Sequence, residues 1–439
     1  MTASHPTSAP AAASPAASVA RPCGCPDYDE ARLALSRRAL LGTALAGGAV
    51  ALGPSLTGAG SSAYAVTGRS AAGLAAPGGS VLVILSLRGA ADGLSLVVPH
   101  ADPVYYAARP RLAIPHTALL APDAMFGLHP ALAPLLPMWD AGTLAAVHAT
   151  GMAAPNRSHF AAMEAIEDAA PGSSERTGWL NRLLGELPGT SPLQGTAMGN
   201  QAPTSLFGAQ PAFVVGRVDQ AKVTGADEEG RRLASLAHAW RGSSPMSRAV
   251  RDAISGAQTF GAARDTPAGA PATAYPDSGL GKALSDVSRI VRSGVGTEVI
   301  TVDQGDWDMH TDAGTLEWGD MRRNAGDLAS SIAAFFADLG PAAERVTLVT
   351  LSEFGRRVRE NDDYGTDHGF GNVMFVAGAG VRGGRYYGSW PGLSDTPDAD
   401  LLVTTDYRSV LAEVVTRRFG VSVAQVFPGF APQAVGVMV

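Results

Sequence analysis

Short, mostly apolar runs punctuate the chain and set its frame. They lie at residues 81–85, 144–148, 298–302, Val346–Leu351 and 373–377, with a shorter one at 212–215. Each has the length of one strand. Near-continuous apolar character rich in Val and Ile, rather than strict alternation, marks strands buried on both faces.

Between these runs the period lengthens. Met321, Ala325, Leu328, Ile332, Phe335 and Leu339 recur at helical spacing and end at Gly340-Pro341. The pattern predicts further helices at 132–139, 160–168 and 280–293, and a helical turn at 178–184. Residues 226–255 read as one polar helical region, with Gly256 as its stop. Asp406 opens a C-terminal helix that places Leu411, Val414, Val415 and Phe419 on one face and stops at Gly420. Residues 257–278, rich in Ala, Gly, Thr and Pro, read as a surface linker. Strands alternating with helices predict an α/β fold. It is a single large domain, residues 66–439, with a mostly parallel central sheet flanked by helices.

Composition narrows the partners. The chain has 439 residues, 46% hydrophobic, enough for a large core. Only 17% are charged and the net charge is -7, so no basic nucleic-acid footprint exists. Residues 1–65 stand apart. An Ala/Pro/Ser-rich start is followed by Arg37-Arg38, an uncharged run to Gly60, and Ala63-Tyr64-Ala65. This resembles a twin-arginine export signal with cleavage near Ala65. Gly42, Gly47, Gly48, Gly53 and Pro54 make the run a poor permanent membrane span. The expectation is a secreted or cell-envelope protein. Cys23 and Cys25 would leave with the leader, so the mature chain would hold no disulfide.

Chemistry-bearing residues gather behind the strands, where open α/β sheets place their sites. Asp306-x-x-x-His310 puts an oxygen and a nitrogen ligand one turn apart if the segment is helical. Such a pair suits a divalent ion, zinc above manganese or calcium. Asp303 and Asp308 compete for the same role. Asp367-His368 sits among glycines that let a backbone turn tightly. Asp92 is a ligand or a loop cap. Glu353 is a site carboxylate or the partner of Arg356 and Arg357. Ser158 is a helix N-cap or a nucleophile, its substrate anion held by Arg157 and the helix N-terminus. Gly378-x-Gly380-x-x-Gly383 formally matches a dinucleotide fingerprint, but the residues after it do not read as the required helix. No P-loop, G-x-S-x-G or H-E-x-x-H occurs.

Several motifs in order resemble those of DUF1501, a bacterial family of exported proteins of unknown function. They are residues 87–93 (LRGAADG), 128–132 (LHPAL), Ser158-His159-Phe160, 352–357 (SEFGRR), 366–369 (TDHG), Trp390-Pro391-Gly392 and Asp406-Tyr407-Arg408. That family looks like a distant member of the alkaline phosphatase and sulfatase superfamily. The resemblance implies an alkaline-phosphatase-like fold, with Asp306, His310 and His368 as metal ligands and Ser158 as nucleophile. Arg157 or Arg356 would hold the anion, and Glu353 would complete the site. Two features depart from the superfamily: the first strand runs into Leu87-Arg88-Gly89 rather than Asp-Gly, and Ser352-Glu353 stands where Asp-His is expected. The function expected is metal-dependent hydrolysis of phosphate or sulfate esters. The alternative is a non-catalytic protein that binds an extracytoplasmic ligand or another exported protein encoded nearby.

Overall fold

Val81–Leu87 forms the central strand, β1, and every one of its residues is buried. The computed structural model describes residues 79–170, 176–189, 191, 193–221, 231–269 and 274–439. The expected twin-arginine leader, with Cys23 and Cys25, lies outside the described residues. Eight strands join β1 in one sheet: β2 (Leu144–Gly151), β3 (Gly195–Met198), β4 (Ala212–Val215), β5 (Val299–Gln304), β6 (Val346–Leu351), β7 (Asn372–Gly378), β8 (Arg385–Tyr387) and β9 (Thr405–Asp406). Their order is β8-β2-β7-β6-β1-β5-β3-β4, with β9 also pairing with β2. All pairs are parallel except those of β7, which runs antiparallel to β2 and β6.

The helices that matter for the site and core are α1 (His159–Asp168), α2 (Trp179–Glu186), α3 (Pro245–Thr259), α4 (Gly279–Ser293), α5 (Asp320–Leu339) and α6 (Tyr407–Val414). They cover both faces. Val81, Val83, Leu85 and Leu87 join Leu284, Val287 and Ile290 of α4 and Leu328, Ile332 and Phe335 of α5. Leu82 and Ile84 point the other way, to Ile166 of α1, Leu183 of α2 and Val410, Leu411 and Val414 of α6. This two-sided burial explains the continuous apolar runs. Each such side chain contributes about 1.5–3 kcal/mol. The described residues thus form one α/β domain with a mostly parallel mixed sheet. None of their helices is long and apolar enough to cross a membrane.

Two expectations need correction. The helical region before Gly256 is split: one helix spans Arg231–Ala239, and α3 restarts at Pro245 behind the Ser244 cap. Gly256 lies inside α3 and does not stop it. The linker expected at 257–278 is helical to Thr259 and again over Gly261–Asp265. Ala257, Phe260 and Ala263 recur at helical spacing and are buried, so core packing overrides the loop-like composition.

Register brings three strand ends together. Leu87 of β1 pairs with Gln304 of β5, and Ser86 pairs with Leu351 of β6. The loops leaving these strands carry Gly89, Asp308 and Glu353 to the same edge.

Candidate metal centre

The chain leaves β5 without entering a helix. Asp306 adopts a left-handed φ of 64°. Its exposed side chain lines a separate cleft with Asp303 and Asp327. Beyond it, Trp307 and Met309 are buried in the core while Asp308 and His310 stay partly exposed. Alternation of period two puts Asp308 and His310 on one side. The helical premise behind the Asp306–His310 pair therefore fails, and Asp308 is the carboxylate beside His310. The β1 loop approaches closely here: a Cβ at Gly89 (φ 109°) would lie 2.5 Å from the Asp308 nitrogen.

Arg356 locks these loops. Its side chain is fully buried. Nε donates to the Ala90 carbonyl at 2.7 Å and Nη1 to Thr366 at 2.9 Å. Nη2 reaches the carbonyls of Gly89 (2.5 Å) and Trp307 (3.1 Å) and Asp308 Oδ1 (2.6 Å). The expected anion-holding role is corrected: the guanidinium faces backbone and Asp308, away from solvent.

Three imidazoles converge above this lock. His368 Nε2 lies 2.9 Å from Nε2 of His159 and 2.9 Å from Nε2 of His310. Asp308 Oδ1 lies 3.2 Å from His310, 3.3 Å from His368 and 3.5 Å from His159. Each Nδ1 is engaged by an acceptor: Glu353 Oε1 at 2.8 Å for His159, Asp367 Oδ1 at 3.0 Å for His310, and the Arg157 carbonyl at 3.0 Å for His368. Carboxylates and carbonyls only accept, so each Nδ1 carries a proton. A neutral ring then turns a bare Nε2 lone pair inward. Three such lone pairs and a carboxylate face one another, which is unfavourable without a cation or extra protons. The donor set therefore fits a metal: His159, Asp308 and His368 could hold one, their ligand atoms all within 4.8 Å of one another. Acceptors behind the rings are the usual support of metal-binding histidines.

Without an ion, protons take that place. Burial opposes charge on His159, but its bonds to Asp308 and Glu353 raise the pKa to about 9. The bond to Asp308 raises His310. Burial also opposes charge on Asp308, yet the three histidines and Arg356 hold it well below the usual carboxylate range.

The other candidates fall in distinct places. Glu353 is 3% exposed, and its Oε1 also accepts the Gly89 N–H at 2.8 Å. It pairs with His159, not with the arginines. Asp367 orients His310. Asp92 is corrected as a ligand: it caps the helical turn Gly93–Leu96 and pairs with buried Arg109 at 2.5 Å. Burial would raise its pKa, but Arg109 holds it down. Ser158 is the exposed N-cap residue of α1, yet makes no side-chain cap bond. Its neighbours Arg157 and His159 both touch His368, so the fold brings Ser158 to the rim. The Arg157 guanidinium pairs with Asp400. His159 escaped the sequence reading as a ligand. Its signal was a histidine directly after a helix cap, in the loop region beyond a buried strand. Beside the cluster a cleft of about 510 Å³ is lined by His310, His368, Asp367, Arg357, Arg359 and Asp398, among others.

A family model described as "Protein of unknown function (DUF1501)" matches residues 80–427. No curated protein matches the chain. The matched span holds all four inward-facing ligand candidates and the whole sheet, and the chain belongs to the DUF1501 family.

Proposed function

We propose that this protein is a metal-dependent hydrolase of anionic esters, phosphate or sulfate, on an alkaline-phosphatase-like fold. The observation that carries the reading is the convergence of histidine lone pairs on Asp308, each ring fixed from behind. Mixed imidazole and carboxylate donors suit zinc best; calcium prefers all-oxygen sites. A divalent ion held by His159, Asp308 and His368 would polarise an ester oxygen and favour the ionised form of a nearby hydroxyl.

The chain's own groups supply the rest. Glu353 keeps the proton on His159 Nδ1 and so keeps Nε2 available. Ser158, with no cap bond to hold its hydroxyl, is the nucleophile. The N-terminus of α1 and Arg157 attract the anion. Export through the twin-arginine route would place this activity outside the cytoplasm.

One observation favours a non-catalytic binder of an extracytoplasmic ligand or partner. Arg157 and Arg357 both pair with Asp400, and Arg359 pairs with Asp395, so these cations are already engaged. Elemental mass spectrometry of the purified protein beside His368→Ala tests the reading. About one zinc or manganese ion per chain, absent from the variant, leads to a screen of phosphate and sulfate esters. No bound metal, and no stabilisation on adding any, would sink the hydrolase reading.

A further inference from the structure

His310 is held differently from the rest of the cluster. Its side chain is 32% exposed, against 13% for His159, 14% for Asp308 and 18% for His368. It lines the cleft, which His159 and Asp308 do not. Its Nδ1 acceptor, Asp367, is 61% exposed, whereas the Glu353 behind His159 is 3% exposed. Its Nε2 lies 2.9 Å from His368 Nε2 and 3.2 Å from Asp308 Oδ1. Two donors at about 2.1 Å from one ion can be no more than about 4.2 Å apart. His310 is therefore within reach of an ion that Asp308 and His368 hold, but from the exposed side.

We propose that His310 is an exchangeable ligand. It covers the cleft side of the site in the resting protein, and an oxyanion entering past Arg357 and Arg359 takes its place. The displaced ring remains tethered to Asp367. Buried acceptors hold a ligand in one orientation; a carboxylate in solvent leaves its ring free to swing. This deepens the metal-dependent reading and rests on it.

The test uses the full chain loaded with Co²⁺, whose visible absorption reports its ligands, and inorganic phosphate as the probe. His310→Ala should bind Co²⁺ within about tenfold of wild type, while His159→Ala and His368→Ala weaken it more than about a hundredfold. Phosphate should alter the wild-type spectrum and bind His310→Ala more tightly, because no ring must leave. Asp367→Asn, a milder change, should retain Co²⁺ and also gain phosphate affinity; it decides the matter if His310→Ala does not fold. Loss of Co²⁺ from His310→Ala as complete as from His159→Ala overturns the exchange. Weaker phosphate binding by folded His310→Ala does the same. A wild-type protein that takes up no Co²⁺ overturns the metal reading itself, and the exchange with it.

Discussion

Asp308 and Arg356 meet at 2.6 Å, and the same guanidinium holds carbonyls of Gly89, Ala90, Trp307 and Thr366. One side chain thus ties the loops after β1, β5 and β6 to the segment carrying His368. Arg356→Met would remove the guanidinium from those buried carbonyls and from Asp308. Breaking one side of a buried pair costs about 3–5 kcal/mol. Urea unfolding should show a loss of that size. A change under about 1 kcal/mol would mean that the loops hold their shape without the lock.

The alternation at 307–310 separates Asp306 from Asp308 in function. Asp306→Asn should leave metal content unchanged, since its carboxylate lines the other cleft. Asp308→Asn should lower metal affinity by at least about tenfold with folding retained. Elemental analysis of both variants after dialysis decides it. Equal retention of metal would remove Asp308 from the ligand set.

His148 of β2 gives the stability a defined pH dependence. It is 5% exposed and packs on Phe126 with ring centroids 4.3 Å apart. Its Nδ1 has no partner among the described residues. Burial pushes its pKa from 6.5 down to about 4, against a weaker opposing pull from Asp123. Between those values the unfolded chain binds a proton that the folded chain refuses. Stability therefore falls as the pH drops from 6.5 toward 4, levels off below, and is untouched above 6.5. The full loss is about 3 kcal/mol. His148→Phe should lessen the fall in urea midpoint between about pH 7.5 and 4.5, buried His129, also pushed down to about 4, accounting for part of the rest. Matching slopes for variant and wild type would show that His148 does not set it.

Local pattern was enough for the frame. Continuous apolar runs announced strands buried on both faces, and the stripe from Met321 to Leu339 announced α5, because burial periodicity is written in neighbouring residues. It was not enough where packing outvoted composition, as at Phe260 and Ala263. Nor did spacing alone choose between Asp306 and Asp308. That choice depends on the left-handed turn at Asp306 and on Trp307 entering the core.

The α/β class, the run of strands, and the histidines and carboxylates that follow the strands are all legible in the linear order of residues. Which of those side chains meet is settled by the folded chain alone. His159 and His368 are 209 positions apart and face each other at 2.9 Å. Nothing local links them. They meet because β2, β6 and β7 lie side by side in one sheet, and because a buried arginine fixes the loop that carries Asp308 between them.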